Sequence, residues 1–322
     1  MNLIDDKEES RRGRKVNHLL DVDSLSLNSV NTIINSSKKA KSILLSKNKT
    51  LSLKGKTIVS IFFENSTRTR VSFEQAGKIL GADVINVNVP SSSISKGESI
   101  LNTVKTIQSI GMDSLIVRHN HSGVPYFIAR NVNVPVINAG DGMHAHPTQS
   151  LLDIFTIKTE IGDIKNKKIL IIGDVKHSRV ARSNINLLIR VGAKITIAAP
   201  TTLLPDSWVG INQKDFKIIS HYKKMESNLS DTDLIMLLRV QKERQDQGSL
   251  PNLEEYSNLW GLTKYRYVTL SPNTFIMHPG PVNEGIEIAS ELLNDKNSLI
   301  DKQVENGVAV RMAVLEYCIS QK

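Results

Sequence analysis

Short apolar segments rich in β-branched residues alternate along this chain with segments whose apolar residues recur at helical spacing. Strands that alternate with helices form βαβ units, so the alternation predicts parallel sheets with helices on both faces. The predicted strands fall into two sets, residues 57–63, 83–89, 115–117 and 134–137, then residues 168–173, 194–199, 234–238 and 274–277. The sequence therefore predicts an α/β fold with two doubly wound parallel-sheet domains joined by inter-domain helices.

The helical spacing of apolar residues predicts helices between and after these strands. The predicted helices cover residues 68–80, 98–110, 178–191 and 304–319, an amphipathic helix over 146–160 separates the two sets, and loosely helical spacing extends over 19–45. The length of 322 residues corresponds to about two domains. We expect a charged tail over residues 1–15, a first domain over 16–147 completed by the C-terminal helix 304–322, and a second domain over 148–303.

The composition excludes several classes of protein. With 40% apolar and 23% charged residues, the chain has the composition of a folded globular protein. Its longest apolar run, residues 234–238, is much shorter than a membrane span. The single cysteine, Cys318, excludes a disulfide framework and any multi-cysteine metal site. Residues 1–15 lack the apolar core of a secretory signal, so we expect a cytoplasmic protein.

The net charge of +9, from 41 basic and 32 acidic residues, raises the question of a nucleic-acid partner. The densest basic run, residues 11–15, directly follows acidic residues, which is typical of a solvated tail. Aromatic residues make up only 5% of the chain and are not interleaved with basic ones. We therefore expect neither a nucleic-acid nor a membrane partner.

Two nucleotide-binding motifs are excluded by their spacing. Residues 55–57 (Gly-Lys-Thr) resemble the end of a P-loop, but the first glycine of that motif would fall on Thr50. The strand 168–173 is followed by residues 174–177 (Asp-Val-Lys-His), which lack the glycines of a dinucleotide fingerprint. Neither nucleoside triphosphate hydrolysis nor NAD chemistry is expected.

Residues 66–70 (Ser-Thr-Arg-Thr-Arg) lie at the carboxyl end of the first predicted strand and the amino end of the next helix. Unpaired backbone N–H groups and the helix dipole favour an anion at such a position. The hydroxyl groups and the Arg68 guanidinium add directed donors. Helix capping by Ser66 alone is the alternative interpretation. The five residues together favour a phosphate site.

Other polar residues follow strands of the first set. Arg118 comes directly after residues 115–117, at the edge where open α/β sheets bind ligands. It either neutralises a substrate or pairs with a neighbouring carboxylate. His146 and Gln149 lie at the start of a predicted helix, where a cationic imidazole is disfavoured. His146 is then either a simple cap or, as we expect, a neutral donor to a carbonyl oxygen.

The second set of strands is also followed by polar residues. Arg179 and Arg239 come after the strands 168–173 and 234–238, and two such arginines predict a carboxylate-binding pair. Residues 278–281 (His-Pro-Gly-Pro) form a stiff turn whose fixed carbonyl groups suit an amide NH₂. No cluster indicates a metal site, and no Ser-His-Asp order indicates a covalent nucleophile.

Several stretches together resemble one enzyme family, the transcarbamylases. Residues 63–70 (Phe-Glu-Asn-Ser-Thr-Arg-Thr-Arg) are similar to its carbamoyl-phosphate signature, and residues 138–149 are similar to its central motif. Residues 91–98, 237–244 and 278–281 resemble the aspartate branch of that family. The Ser-Met-Gly loop and the His-Cys-Leu-Pro turn of the ornithine branch are absent from the sequence. The likeness extends from about residue 19 to residue 318.

This resemblance implies transfer of the carbamoyl group of carbamoyl phosphate to the amino group of L-aspartate. The products would be N-carbamoyl-L-aspartate and phosphate, in the committed step of de novo pyrimidine (UMP) biosynthesis, with no cofactor and no metal. Residues 16–147 would form the carbamoyl-phosphate-binding domain and residues 148–303 the aspartate-binding domain. The family also implies a catalytic homotrimer with shared active sites.

The resemblance implies a role for individual residues. The residues implied to hold carbamoyl phosphate are Ser66, Thr67, Arg68, Thr69, Arg118, His146, Gln149, Gly280 and Pro281. Those implied to bind L-aspartate are Lys96, Arg179, Arg239 and Gln241, and those implied to be catalytic are Arg68, Thr69, Arg118, His146 and Lys96. A neighbouring subunit would contribute Ser92 and Lys96.

Two positions depart from the family pattern. Ser95 stands where some members have a second lysine, and Gly280 stands where others have leucine or alanine. The resemblance leaves open whether regulatory chains bind, which would give a dodecamer of two trimers and three regulatory dimers. Two other functions also remain open, namely carbamoyl transfer to another amino acid such as ornithine, and anion binding without catalysis.

Overall fold

The computed structural model describes residues 16–47, 49–87, 98–210, 213–241 and 252–320. Its strands are β1 (Thr57–Phe62), β2 (Asp83–Val87), β3 (Ser114–His119), β4 (Val136–Asp141), β5 (Lys168–Ile172), β6 (Lys194–Ala198), β7 (Phe216–Ile219), β8 (Leu234–Leu237) and β9 (Phe275–Met277). Its α-helices are α1 (Leu27–Leu45), α2 (Thr67–Ile79), α3 (Ile100–Ile110), α4 (Val124–Ala129), α5 (Pro147–Glu160), α6 (Arg179–Arg190), α7 (Tyr222–Glu226), α8 (Leu253–Trp260), α9 (Lys264–Tyr267) and α10 (Ile300–Ile319). Short 3₁₀ helices cover Thr201–Leu203, Asp206–Trp208, Leu229–Asp231 and Ser290–Asn294.

The strands form two parallel sheets. The first has the order β2-β1-β3-β4 and the second the order β7-β6-β5-β8-β9, and every pairing is parallel. This arrangement confirms the predicted fold class. The direction of winding reverses between β1 and β3 in the first sheet and between β5 and β8 in the second. Open α/β sheets bind ligands beyond the carboxyl ends of the strands at such reversals.

The structure differs from the sequence predictions in several elements. Strand β7 was not predicted; it is only four residues long, and these residues are half-buried or exposed. The apolar residues that precede α1 belong partly to the first sheet, where Leu19 forms a parallel bridge with Ile137. Helix α10 begins at Ile300 and not at Val304. The predicted amphipathic character of α5 is wrong, since every residue from Pro147 to Ile157 is buried.

Helix α5 is buried on all sides because it connects the two sheets and packs against β4, α1, α6 and α10. Helix α10, near the C-terminus, returns to the first sheet and packs against α1, α2 and α5. Both helices contribute to one large apolar core with residues of both sheets. The predicted domain bounds stay a prediction. No described helix is both long and apolar enough to cross a lipid bilayer.

Candidate active site

A cavity of about 1360 Å³ lies beyond the carboxyl ends of the strands, between the two sheets. It is lined by every predicted site residue that falls within the described ranges, namely Ser66, Thr67, Arg68, Thr69, Arg118, His146, Gln149, Arg179, Arg239, Gln241, Gly280 and Pro281. These residues come from distant parts of the sequence, and the two winding reversals bring them together. Across the described ranges, no group of three or more His, Cys, Asp and Glu residues could hold a metal ion.

The reversal in the first sheet presents the predicted phosphate site. Helix α2 begins at Thr67, immediately after β1, and Arg118 lies near the end of β3, paired in register with Phe62. Ser66 is the N-cap residue of α2, but its side chain makes no capping hydrogen bond. Capping therefore does not account for the Ser66 hydroxyl. The buried Thr69 and the exposed Arg68 line the cavity in the first turn of the helix.

The reversal in the second sheet presents the predicted carboxylate site. Arg179 begins α6 after the N-cap Ser178, whose side chain accepts a hydrogen bond from the backbone of Ala181. Arg239 lies two residues beyond the end of β8. Each strand that flanks a reversal thus has one arginine of the cavity associated with it. Arg118 lies in β3, Arg68 and Arg179 lie at the start of the helices after β1 and β5, and Arg239 lies just beyond β8.

Two buried carboxylates fix the backbone next to Arg239. The N–H group of Val240 donates to Glu287 Oε1 at 2.9 Å, and the N–H group of Gln241 donates to Asp174 Oδ2 at 3.3 Å. Glu287 and Asp174 are 1% and 0% exposed, so neither carboxylate is screened by solvent. These bonds hold the backbone that carries Arg239 and Gln241 at the cavity.

Glu64, which follows β1, bridges Arg118 of the first sheet and Arg179 at the second sheet. Its Oε1 atom lies 2.6 Å from Arg118 Nη2 and 2.6 Å from Arg179 Nη2, and its Oε2 atom accepts a bond of 2.9 Å from Arg179 Nη1. Arg118 thus has the carboxylate partner that the sequence left open as an alternative to substrate binding. Both guanidinium groups are buried, so one carboxylate offsets much of the repulsion between two cations.

Gly140 in β4 allows these two guanidinium groups to approach each other. Its φ is +117°, and a Cβ atom there would stand 3.0 Å from Arg179 Nε and 3.2 Å from Arg118 Nη1. Arg118 also donates to the carbonyl of Ala139 at 3.2 Å, and Arg179 to the carbonyl of Gly142 at 3.1 Å. The end of β4 therefore holds both arginines at the cavity.

Arg68 and Arg239 line the same cavity, Arg68 from the side of the first sheet and Arg239 from the side of the second. Partial burial and the positive charge of Arg239 both lower the pKa of Arg68, so the two cations lie close enough to repel. The guanidinium of Arg68 also packs on Gly280, where a Cβ atom would lie 2.7 Å from its Nη1. A dianion between these arginines would relieve the repulsion.

Gln149 and the turn 278–281 lie beside this cationic region. The Gln149 side chain donates from Nε2 to Asp153 Oδ1 at 3.0 Å. The backbone of His278 donates to Gln303 Oε1 at 2.9 Å, and His278 Nδ1 accepts from the backbone of Gly280 at 2.8 Å. These two hydrogen bonds thus hold the first three residues of the turn in place.

Comparisons with known proteins agree with this geometry. Residues 17–159 match the family described as aspartate/ornithine carbamoyltransferase, carbamoyl-P binding domain, and residues 165–318 match the Asp/Orn binding domain of the same family. A protein of Roseiflexus sp. (strain RS-1), named aspartate carbamoyltransferase catalytic subunit, is 46% identical over 310 residues, which cover 96% of this chain and 96% of that protein. The chain belongs to the aspartate/ornithine carbamoyltransferase family.

Two solved carbamoyltransferases have the same fold. Aspartate transcarbamoylase of Trypanosoma cruzi, in complex with carbamoyl phosphate and aspartate, matches with a TM-score of 0.85 and 27% identity, covering 96% of this chain and 98% of that one. Ornithine carbamoyltransferase of Pyrococcus furiosus matches with a TM-score of 0.82 and 26% identity, covering 95% and 97%. The family resemblance predicted from the sequence is therefore confirmed.

Three residues of the predicted carbamoyltransferase loop lie outside the described residues, namely Ser92, Ser95 and Lys96. Other residues at the cavity were not predicted. Sequence reasoning assigned no role to Glu64, Asp153, Gln303 or Arg311, although all but Asp153 line the cavity. Glu64 is part of the stretch that resembles the phosphate signature. Asp153 and Arg311 each stand as a charged residue within an otherwise apolar helical segment, which is a signal that sequence alone offers. Gln303 has no such signal, because most of its neighbours in the sequence are polar or charged.

Proposed function

We propose that this chain transfers the carbamoyl group of carbamoyl phosphate to the amino group of L-aspartate, with N-carbamoyl-L-aspartate and phosphate as products. The observation that carries the proposal is the convergence of Arg68, Arg118, Arg179 and Arg239 on one cavity. Both substrates are anions that repel each other, and only a concentration of cations can hold them in contact. The names of the relatives agree with this reaction.

Carbamoyl phosphate fits the side of the cavity formed by the first sheet. The start of α2 offers backbone N–H groups and the hydroxyl groups of Ser66 and Thr67 to the phosphate, and Arg68 offers a bidentate donor. Thr69, Arg118 and His146 would then donate to the carbonyl oxygen and stabilise the oxyanion that forms during attack.

L-Aspartate fits the side formed by the second sheet. Arg179 and Arg239 would bind its two carboxylates, with Gln241 as a further donor. Ornithine ends in an ammonium group, which two arginines would repel, so the pair favours a dicarboxylate acceptor. Arg179 would exchange Glu64 for a substrate carboxylate.

The reaction then needs little more than positioning. The aspartate nitrogen attacks the carbamoyl carbon, a C–N bond forms, and the C–O bond to phosphate breaks. Phosphate leaves with the electron pair and accepts the proton that the amine loses. Two substrates held in contact by fixed donors gain most of their rate from proximity and electrostatic stabilisation.

The test is an assay of carbamoylated product with saturating carbamoyl phosphate and either L-aspartate or L-ornithine. We expect N-carbamoyl-L-aspartate and stoichiometric phosphate with L-aspartate, and no citrulline with L-ornithine. Citrulline formation would assign the chain to the ornithine branch. Anion binding without either product would support the non-catalytic alternative.

The assembly and the biological setting are part of the same proposal. A homotrimer would bring Ser92 and Lys96 of a neighbouring subunit to each active site, and light scattering of the purified protein would measure its mass. Mixing two inactive variants, one altered at Lys96 and one at Arg68, would restore activity if subunits share sites. Pyrimidine biosynthesis in the cytoplasm is the expected setting, and rescue of a pyrimidine auxotroph would test it.

A further inference from the structure

A buried carboxylate lies directly behind Gln149. Asp153 is 0% exposed, and its Oδ1 atom accepts hydrogen bonds from Gln149 Nε2 at 3.0 Å and from Gln303 Nε2 at 2.7 Å. Its Oδ2 atom accepts a bond of 2.7 Å from Asn184 Nδ2. The carboxylate thus joins one residue of α6 and one of α10 to its own helix, α5.

These contacts fix the orientation of the Gln149 amide. An ionised carboxylate only accepts hydrogen bonds, so Gln149 turns its NH₂ group towards Asp153 and keeps its carbonyl oxygen available on the other side. Gln149 lines the cavity, so that oxygen is an acceptor for an N–H group bound there.

Gln303 connects the same carboxylate to the turn 278–281. While its Nε2 atom donates to Asp153, its Oε1 atom accepts from the backbone N–H of His278 at 2.9 Å. The carbonyl groups of this turn are the second set of acceptors expected for the carbamoyl NH₂. Asp153 and Gln303 therefore support both sets of acceptors through direct hydrogen bonds.

The free-energy cost of burying the charge of Asp153 indicates that this arrangement does more than stabilise the fold. Burial raises the pKa of Asp153 to about 6, against the effect of the three amide donors and the positive charge of Arg311. Burial also lowers the pKa of Arg311 to about 10. A protein in which apolar residues replace buried charges is often equally stable or more stable. Positioning of the acceptors is therefore a reason for the buried charges of Asp153 and Arg311.

We propose that Asp153 and Gln303 are positioning residues that fix the acceptors for the carbamoyl NH₂, and thereby make the site prefer carbamoyl phosphate to acyl phosphates without an N–H group. The inference rests on the proposed function, because it assumes that carbamoyl phosphate binds beside Gln149. Acetyl phosphate is the matched probe, since it replaces only the NH₂ group by a methyl group.

The experiment compares the KM for carbamoyl phosphate with the inhibition constant of acetyl phosphate as a competitor. Gln303→Met keeps the length of the side chain and removes both of its hydrogen bonds. We expect its KM for carbamoyl phosphate to rise about tenfold while the inhibition constant of acetyl phosphate stays within about twofold of that of the unaltered chain.

A conservative variant and a control isolate the effect. Asp153→Asn keeps an acceptor for Gln149 and Gln303 at Oδ1, and its NH₂ group replaces the Oδ2 atom that accepts from Asn184. A turn of the Asn184 amide then presents its Oδ1 atom, which accepts no hydrogen bond from the described residues of the unaltered chain, to this NH₂ group. We expect this variant to retain the preference. Thr156→Val breaks the bond of 3.0 Å from Asn306 to Thr156, one helical turn further along the same two helices, and leaves Gln149 untouched.

The outcomes separate the two proposals. An unchanged ratio of the two constants in a folded Gln303→Met protein would overturn the positioning role alone. The same loss of preference in Thr156→Val would also overturn it, because general loosening of the helix contact would then explain both results. Absence of N-carbamoyl-L-aspartate with the unaltered chain would overturn the proposed function and this inference with it.

Discussion

Arg179 holds both carboxylate oxygens of Glu64, with Nη1 at 2.9 Å from Oε2 and Nη2 at 2.6 Å from Oε1. Glu64 follows a strand of the first sheet and Arg179 begins a helix of the second, so this bidentate pair joins the two sheets at the cavity. An anion that binds Arg179 must compete with Glu64. The contact therefore links anion binding to the way the two sheets are held together.

Glu64→Gln should make stability more dependent on anions. The amide cannot neutralise Arg118 and Arg179, so we expect the free energy of unfolding to fall by about 1–3 kcal/mol, less than for a fully buried pair. Inorganic phosphate should restore part of this loss by supplying the missing charge. Thermal unfolding with and without phosphate would then show a larger rise in Tm for the variant than for the unaltered chain.

The control for this prediction is Glu74→Gln. Glu74 pairs with Lys78 at 2.6 Å on the outside of α2 and does not line the cavity. Its amide variant should respond to phosphate as the unaltered chain does. Equal phosphate effects in all three proteins would contradict the role given to Glu64.

Arg68→Ala should reduce kcat by about 10²–10³-fold, the effect typical of losing one directed donor at a developing charge. Product formation at saturating substrates measures it. Lys78→Ala removes a cation from the same helix, but Lys78 is exposed and pairs with Glu74 on the outside of that helix. That variant should keep its activity, and a near-normal rate for Arg68→Ala would refute the assignment of the phosphate site.

Gly280→Ala should lower kcat/KM for carbamoyl phosphate by about tenfold, because a Cβ atom would displace the guanidinium of Arg68. Gly285→Ala is the matched control. Both glycines have positive φ, +63° and +74°, but no described residue has an atom within 4 Å of a Cβ atom at Gly285. Each variant should lose about 1–2 kcal/mol of stability from backbone strain. Equal activities would show that the contact with Arg68 has no effect.

His18 should make the fold less stable in mild acid. Burial lowers the pKa of His18 to about 4, and its Nδ1 atom accepts a hydrogen bond from the backbone of Val136 at 3.1 Å. The unfolded chain takes up a proton below its ordinary pKa of about 6.5, whereas the folded chain does so only near 4. Stability from this residue is therefore present above about pH 6.5 and is lost as the pH falls towards 4.

Urea unfolding at about pH 7 and pH 5 would measure this effect. His18→Asn keeps an acceptor for Val136 and cannot take up the proton. We expect the unaltered chain to lose about 1–2 kcal/mol more than the variant between these pH values. His144 has its pKa raised by Asp141 and shifts stability in the opposite direction, but it contributes equally to both proteins. Parallel pH profiles would rule out His18 as the cause.

The fold was predictable because its strands are continuous apolar segments, as buried parallel strands are. Strand β7 escaped prediction because it lies at the edge of its sheet and none of its residues is fully buried. Helix α5 was predicted as a helix, but its burial on all sides was not predicted. Its burial on every side depends on α6 and α10, which are distant in sequence.

The candidate site was predictable where a residue lies at the carboxyl end of a strand or at the start of the following helix, as Arg118 and Arg179 do. Position relative to the sheet edge is then fixed by local sequence. The hydrogen-bond partners in the site were not predictable in the same way, because the bond that Arg179 donates to Glu64 spans 115 positions and the bond that Gln303 donates to Asp153 spans 150. Such pairs follow from the packing of two sheets, which no short motif specifies.

The return of α10 to the first sheet has a consequence for how the chain matures. Strands β1 to β4 leave the ribosome well before Ile300–Ile319, the helix that packs on α1 and α2. The apolar surface of α1 and α2 that this helix covers in the folded protein stays exposed while the whole second sheet is synthesised. Nascent chains of this protein are therefore expected to depend on chaperones until the final helix emerges.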